Sequence, residues 1–146
     1  MTADNKKLKI LFLCTGNSCR SQMAEGWARQ LKGDEFASFS AGVETHGLNP
    51  HAVKVMAEVG VDISAQQSKL IDELPAMDFD YVVTLCDHAA EACPTYSGKT
   101  KVVHRSFPDP PKLATGAISE QEVLVHYRLV RDLIKKYVDE MPGNLE

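Results

Sequence analysis

Short apolar runs alternate with amphipathic stretches along this chain. The run LKILFLC at residues 8–14 is apolar at nearly every position, which predicts a strand that is buried on both faces. Similar runs predict further strands at 35–42, 79–86 and 101–107. The strand predicted at 79–86 ends on a cysteine, as the first strand does.

Three amphipathic stretches are typical of helices. The stretch RSQMAEGWARQLKG at 20–33 carries its apolar residues on one helical stripe and ends at a glycine. A second helix is predicted at 49–60, with Asn49 as N-cap and a proline at its first position. The third, at 119–141, begins with Ser119 and a glutamate three residues later, which is the spacing of a capping box.

This alternation predicts an α/β fold with a single domain, residues 1–146. Right-handed β-α-β connections make a four-stranded sheet parallel and cover both of its faces with helices, in three layers. In such folds ligands bind beyond the carboxyl ends of the strands. Cys14, Cys86 and the loop 106–116 lie at those ends, and we expect the three to meet in one crevice.

Composition narrows the class of protein. The chain has 146 residues, 44% hydrophobic and 25% charged, which are ordinary values for a globular domain. Its net charge of -4 argues against a general nucleic-acid binder. The longest apolar stretch of the first strand is too short for a membrane span or a signal peptide, so we expect a cytoplasmic location. The four cysteines are then expected to be reduced thiols rather than disulfide staples.

The segment LFLCTGNSCRSQMAE contains the most informative loop. Five residues separate Cys14 from Arg20 and join a buried strand to a helix N-terminus. Such a turn can point successive backbone N–H groups inward and hold a tetrahedral oxyanion at the positive end of the helix. Gly16 and Asn17 tolerate the left-handed backbone of such turns, and Arg20 supplies a planar pair of donors. The predicted oxyanion-binding residues are Thr15, Gly16, Asn17, Ser18, Cys19 and Arg20.

Cys14 is the predicted nucleophile at this loop. A helix N-terminus and a neighbouring cation lower the pKa of a thiol below its usual value of about 8.5, so the Cys14 thiolate is expected to be populated near neutrality. Ser21 is placed to donate a hydrogen bond to that thiolate. The alternative is that Cys14 is a buried cysteine in an ordinary strand–helix turn. Cys19, inside the loop, is interpreted as a small packing residue.

Two further cysteines flank the segment DHAAEA, which is rich in helix formers. Asp87 is a plausible N-cap and Pro94 a plausible stop. A helix between Cys86 and Cys93 would hold them about 10 Å apart, at about 1.5 Å per residue. A disulfide needs Cα atoms within about 7 Å, so we hypothesise that oxidation partly unwinds this segment.

Two simpler interpretations of these cysteines stay open. Cys86 and Cys93 are suited to packing at a strand end and on a helix face. They are also suited to binding zinc together with His88 and His104, although the spacing lacks the short paired-ligand pattern of zinc sites.

The segment FPDPPK at 107–112 is the candidate source of a general acid. Its prolines restrict the backbone, so Asp109 is predicted to lie on a stiff loop that can be aimed at the oxyanion. The alternative is an aspartate in a solvated turn, which is a common use of an Asp-Pro pair.

The motifs CTGNSCRSQMAEGWA, SAGVETHGLNPHAV, VVTLCDHAAEACP and the pair Asp109-Pro110 occur together in this chain. Together they resemble the thioredoxin-coupled class of arsenate reductases, whose fold is that of the low-molecular-weight protein tyrosine phosphatases. The similarity runs from Leu8 to the final helix. Within it, Cys-x5-Arg-Ser marks the shared phosphatase-like fold, whereas Cys86 and Cys93 distinguish a reductase from a phosphatase.

The resemblance implies a mechanism of three exchanges. Cys14 attacks the arsenic of arsenate while Asp109 protonates the departing hydroxyl. Cys86 then attacks Cys14, which releases arsenite and leaves a Cys14–Cys86 disulfide, and Cys93 moves the disulfide to Cys86–Cys93. The resemblance also implies thioredoxin as the electron donor and requires no metal or organic cofactor. We expect a monomer with no nucleic-acid or membrane partner.

The chain departs from some of these relatives at a potassium site. They bind the ion beside the loop through residues that match Asn17, Glu25, Ser40 and an aspartate, and Lys69 stands at the position of the aspartate. A lysine ammonium there would fill the role of the cation and repel potassium. The site is therefore expected to be absent, the alternative being that Lys69 points to solvent.

Two other functions stay open. The first is a phosphatase for aryl phosphates, since phosphate and arsenate are nearly isosteric, and a weak side activity of this kind is allowed. Phosphatases of this fold often place an aromatic residue after the Asp-Pro pair, where this chain has Pro111 and Lys112. The second is an oxyanion sensor or phosphocysteine carrier, which would need neither the later cysteines nor an aimed acid.

Overall fold

The computed structural model describes residues 7–74, 78–93 and 99–145 of the chain. Pro94, predicted to end the helix after Cys86, lies outside the described residues.

Four parallel strands form the central sheet, in the order β2-β1-β3-β4. The strands are β1 (Leu8–Cys14), β2 (Phe36–Gly42), β3 (Tyr81–Thr84) and β4 (Lys101–His104). The predicted α/β fold with a four-stranded parallel sheet is confirmed. The third strand is shorter than the predicted 79–86 because Cys86 already serves as the N-cap of the following helix.

Five helices connect or follow the strands in the described part of the chain. They are α1 (Arg20–Lys32), α2 (Pro50–Glu58), α3 (Asp87–Ala92), α4 (Pro110–Leu113) and α5 (Glu120–Asp139), and single 3-10 turns lie at Ile71–Glu73 and Gly143–Leu145. None of these helices has the combination of length and apolar character that a membrane span requires.

The helices cover both faces of the sheet, so the predicted three layers are present. Along β1, Ile10 and Phe12 belong to a core cluster with residues of α1, α2 and α5, while Leu11 and Leu13 belong to a second cluster with Ala89 of α3. This split follows from the alternation of side chains along a strand. Both clusters are fully apolar around β1, which explains why its sequence is a nearly continuous hydrophobic run.

The predicted caps are largely confirmed. The Asn49 side chain accepts from two N–H groups of α2, and the Ser119 hydroxyl accepts from the N–H of Glu122 in α5. The Asp87 cap is wrong: Asp87 is the first residue of α3, and the preceding residue, Cys86, is the N-cap, with its sulfur accepting from the N–H of Ala89.

Candidate active site

A cavity of about 290 Å³ opens beyond the carboxyl end of β1. It is lined by Cys14, Thr15, Gly16, Ser18, Cys19, Arg20, His46, Asp109 and Pro111. The structure therefore brings the loop after β1 together with Asp109, as the sequence predicts. The place is the one at which parallel sheets bind ligands, since β1 is followed by a crossover to β2 on one side and β3 lies on the other.

The carbonyl groups of the loop are engaged by the segment that follows β2. The N–H groups of Val43, Glu44, His46 and Asn49 donate to the carbonyls of Cys14, Thr15, Gly16 and Ser18, at 3.3, 2.9, 3.0 and 3.0 Å. In the described chain, no N–H group of residues 15–20 donates to a main-chain carbonyl. All of these residues except the buried Asn17 line the cavity, so N–H groups without main-chain partners lie beside it, as an oxyanion nest requires.

Asn17, rather than Gly16, supplies the left-handed residue of the loop. Its φ is 48°, and it is completely buried. Its side chain donates to the Ser21 hydroxyl at 2.8 Å and accepts from the Lys69 main-chain N–H at 2.8 Å. Ser21 was predicted to donate to the Cys14 thiolate, but in this structure its hydroxyl accepts from Asn17. This hydrogen bond ties the loop to the first turn of α1.

Gly16 allows the His46 ring to lie close to the loop, and its backbone is not left-handed. A Cβ at this position would lie 2.4 Å from Nδ1 of His46, which is a steric overlap. His46 itself lines the cavity, and its Nε2 lies 3.4 Å from a carboxylate oxygen of Glu44. Nothing in the sequence around His46 predicts this position, because it depends on how the turn after β2 packs against the loop after β1.

Arg20 is held so that part of its guanidinium stays free for a ligand. Its Nη1 donates to the carbonyl of Phe107 at 2.9 Å, and its Nη2 lies 3.7 Å from a carboxylate oxygen of Asp109. The buried Nε has no hydrogen-bond partner in the described chain. Arg20 and Asp109 both line the cavity, so the guanidinium charge lies where it can attract a bound anion.

Asp109 is the last residue of the loop after β4, and a single turn of helix follows it directly. It is the N-cap residue of α4, its carbonyl accepts from the N–H of Leu113 at 2.9 Å, and Pro110 and Pro111 open the helix. Prolines suit the first turn of a helix because the missing N–H would have no intrahelical partner there. The carboxylate is partly exposed and faces the same cavity as Cys14.

The Cys14 and Cys86 thiols are hydrogen-bonding neighbours across the ends of β1 and β3. This hydrogen bond, together with burial, raises the pKa of Cys14 well above its usual range, although the Arg20 charge acts in the opposite direction. The same hydrogen bond lowers the pKa of Cys86 to about 5, assisted by the Thr15 hydroxyl at 3.1 Å and the Ala89 N–H at 3.4 Å. The prediction that Cys14 carries the lowered pKa is therefore wrong for this arrangement, because Cys86 has more donors.

This arrangement makes a titration prediction. We expect the thiolate absorbance of the reduced chain to rise with a midpoint near pH 5, since a lowered pKa keeps Cys86 ionised above that value and protonated only below it. Cys14→Ala should move the midpoint upward by removing the main stabilising hydrogen bond, and Cys86→Ser should remove the low-pH step. A single step in the ordinary thiol range, unchanged by Cys14→Ala, would contradict the assignment.

Cys93 lies directly after α3, so a short helix separates the two later thiols as predicted. Burial raises the pKa of Cys93, and the side chain packs at the edge of the second core cluster. Cys19 belongs to the larger core cluster, and burial raises the pKa of its thiol too. Within the described residues, the four cysteines are free thiols.

The zinc interpretation finds no support in the geometry. His104, one of the candidate ligands, contacts Asp87 and Thr84. Across the ranges that the structure describes, no three histidine, cysteine or acidic side chains lie together as a metal-binding group.

The residues at the four positions that match the potassium site have partners within the protein. Glu25 is buried, accepts from the Ser40 hydroxyl at 2.5 Å, and forms an ion pair with Arg29. The ammonium of Lys69 donates to the carbonyl of Gln67 at 3.0 Å. The sequence analysis expected the Lys69 ammonium to fill the role of the cation. Among the described residues, the side chain that pairs with Glu25 is instead Arg29.

Comparison with known proteins agrees with this geometry. The family described as low molecular weight phosphotyrosine protein phosphatase matches residues 9–141. The chain is 52% identical over 134 residues to an arsenate reductase of Halalkalibacterium halodurans, covering 92% of this chain and 94% of that protein. It is 54% identical over 125 residues to an arsenate reductase of Bacillus subtilis, covering 86% and 88%. A solved structure of an arsenate reductase in the phosphate binding state superposes with a TM-score of 0.72 at 32% identity, covering 95% and 99%.

Proposed function

Because the chain belongs to the low molecular weight phosphotyrosine protein phosphatase family, we propose that it uses this fold to reduce arsenate to arsenite. The observation that carries the proposal is the position of Cys86 next to Cys14, the thiol that lines the oxyanion cavity. A phosphatase needs only Cys14, whereas a second thiol in contact with the first is what a reduction requires. The names of relatives at about half identity agree with reduction.

Arsenate is bound as a tetrahedral anion in the nest. The N–H groups of residues 15–20 and the guanidinium of Arg20 donate to its oxygens, and the N-terminus of α1 adds a favourable dipole. The electrons come from the protein's thiols, so the reaction as proposed uses no resident metal or organic cofactor.

In the first step Cys14 attacks arsenic, and the sulfur–arsenic bond forms as an arsenic–oxygen bond breaks. The Cys14 proton passes along the thiol–thiol hydrogen bond to the Cys86 thiolate, which makes the buried Cys14 nucleophilic at the moment of attack. Asp109, on the same cavity wall, donates a proton to the departing hydroxyl, which leaves as water.

In the second step Cys86 returns its proton to an arsenic-bound oxygen and attacks the sulfur of Cys14. The sulfur–arsenic bond breaks with its electron pair retained by arsenic, arsenite leaves, and a Cys14–Cys86 disulfide remains. Cys93 then attacks Cys86, so that the disulfide moves to Cys86–Cys93 and Cys14 departs as a thiol or thiolate. The two electrons that reduce arsenic are thus supplied by Cys86 and Cys93.

Regeneration of the enzyme needs an external dithiol, for which we propose thioredoxin. Helix α3 presents Asp87, His88 and Glu91 to solvent, so a disulfide formed beside it lies near the surface, within reach of a protein reductant. We further propose that the protein acts as a monomer in the cytoplasm, where thioredoxin is kept reduced.

Hydrolysis of small aryl phosphates is the second candidate activity, since the family match and the Cys14 loop serve phosphate equally well. The cavity wall after Asp109 carries Pro111 rather than an aromatic ring, and Lys112 is exposed. A ring that frames an aryl substrate is therefore missing from this wall, and we expect hydrolysis to be a weak side activity.

A coupled assay tests the proposed function. Purified chain, arsenate, thioredoxin, thioredoxin reductase and NADPH should give continuous arsenite formation with one NADPH oxidised per arsenite. Glutaredoxin with glutathione, run in parallel, should support at most slow turnover. If neither electron source gives arsenite and the chain hydrolyses an aryl phosphate rapidly, the phosphatase function is favoured instead.

We also predict that activity and stability do not distinguish potassium from sodium. Glu25 is already paired with Arg29, so a cation finds no unpaired carboxylate at these positions. The measurement is turnover and thermal unfolding at constant ionic strength in each salt, with less than about twofold difference expected. In Arg29→Gln, the matched comparison, we expect added cations to stabilise the fold. Several-fold activation of the unmodified chain by potassium alone would contradict the prediction.

A further inference from the structure

Outside the cavity, three side chains form a hydrogen-bonded chain at the carboxyl ends of β3 and β4. The Thr84 hydroxyl lies 2.8 Å from Nδ1 of His104, and Nε2 of His104 lies 3.1 Å from a carboxylate oxygen of Asp87. Thr84 and His104 are paired in the sheet register, so the imidazole is anchored on two neighbouring strands. Asp87 is the first residue of α3, the helix that separates Cys86 from Cys93.

The direction of these hydrogen bonds follows from the chemistry of the groups. A carboxylate only accepts hydrogen bonds, so Nε2 of a neutral imidazole carries the hydrogen and donates a hydrogen bond to Asp87. Nδ1 is then an acceptor, and the Thr84 hydroxyl donates a hydrogen bond to it. Because Thr84 is buried, this bond fixes the plane of the ring and aims Nε2 at the start of α3.

Helix α3 is held at its start by two different kinds of interaction. The first involves Cys86, whose sulfur accepts from the Ala89 N–H at 3.4 Å and whose carbonyl accepts from the Ala90 N–H at 3.1 Å. A disulfide sulfur is a weaker acceptor than a thiolate, so oxidation of Cys86 weakens this cap. The second, between His104 and Asp87, contains no redox group and survives oxidation. It therefore has to open separately before the helix can unwind.

We propose that His104 and Asp87 form a latch that holds α3 in its reduced, helical form and so sets how readily Cys93 reaches Cys86. Both are positioning residues, since neither touches the cavity. The proposal rests on the proposed relay, because the latch has a purpose only if these two thiols must join. Both side chains are substantially exposed, so the latch is of modest strength, and its loss should favour the Cys86–Cys93 disulfide by about two- to fivefold.

The test measures this disulfide at equilibrium, without arsenate. In a chain carrying Cys14→Ser and Cys19→Ser, glutathione disulfide oxidises Cys86 and Cys93 and is itself reduced to two glutathione molecules. The oxidised fraction is trapped by acid, alkylated and measured by mass spectrometry over a series of glutathione ratios. His104→Leu, Asp87→Asn and the two combined are compared with the parent. Glu91→Gln, which removes an exposed acid from the same helix, is the control.

Each single latch variant should shift the equilibrium constant toward the disulfide by about two- to fivefold, and the combined variant should shift it no further than one of them. Glu91→Gln should not shift it in that direction. Unchanged equilibrium in the single variants, or additive shifts in the combined one, would overturn the latch while leaving the relay intact. Failure of Cys86 and Cys93 to form any disulfide in the parent would overturn both the relay and the latch.

Discussion

Cys14→Ser should abolish both arsenate reduction and the hydrolysis of an aryl phosphate. Cys14 is the thiol that lines the oxyanion cavity at the end of β1, and both reactions begin with its attack on a tetrahedral centre. We expect each rate to fall by at least about a thousandfold, the scale on which removal of a covalent nucleophile acts. The measurements are arsenite formation in the coupled assay and release of the phenol from an aryl phosphate.

The matched control is the same chemical change at Cys93. Cys93 lies after α3 and does not line the cavity, so Cys93→Ser should keep aryl phosphate hydrolysis within about twofold of the unmodified chain. Thermal unfolding of both variants verifies that the fold is retained. Substantial hydrolysis by Cys14→Ser would show that another group performs the attack.

Cys93→Ser should also limit arsenate reduction to a single turnover. Without the third thiol the disulfide stays between Cys14 and Cys86, and because both thiols are buried we expect a protein reductant to reach this bond poorly. We expect one arsenite per chain in a burst, followed by steady turnover reduced at least about a hundredfold. The burst is measured by rapid mixing with arsenate, and the disulfide is located by mass spectrometry of peptides.

Cys86→Ser separates the second thiol from the third. It removes the attack on the Cys14–arsenic adduct, so it should give no arsenite burst, whereas Cys93→Ser gives one. Cys93→Ser should retain phosphate hydrolysis, whereas Cys86→Ser should retain it at a reduced rate because it also removes the thiolate that receives the Cys14 proton. Full turnover by Cys93→Ser with thioredoxin would refute the three-thiol relay.

The parts of the fold that follow from local pattern could be predicted from the sequence. The apolar run of β1 and the long amphipathic stretch of α5 are set by period and length, and Asn49 and Ser119 cap their helices through bonds made within a few residues. The topology then required Cys14 and Cys86 to be neighbours, because adjacent parallel strands end at the same edge of the sheet.

Features that depend on packing between distant segments could not be predicted in this way. The proximity of His46 to Gly16 follows from how two loops pack together, and the carbonyl of Phe107 that holds Arg20 lies 87 residues away in sequence. The ion pair between Glu25 and Arg29, by contrast, could be predicted, because the two residues lie one helical turn apart in α1.

The order of thiol acidity was predicted wrongly for a physical reason. The sequence places a helix N-terminus and a cation beside Cys14, and both lower the pKa of a thiol. It does not show that Cys86 is hydrogen-bonded to Cys14 and also lies within hydrogen-bond distance of the Thr15 hydroxyl and an N–H group of α3. Such hydrogen bonds appear only once the ends of β1 and β3 are placed together in three dimensions.

A single-turnover experiment with the unmodified chain tests the proposed reduction most directly. The fully reduced chain, freed of external thiols, is mixed with excess arsenate, and arsenite, inorganic products and disulfides are measured together. Reduction by the relay predicts one arsenite per chain and a disulfide between Cys86 and Cys93, with Cys14 again a free thiol. No arsenite with all thiols still reduced, or arsenite accompanied by a disulfide that excludes Cys86, would contradict it.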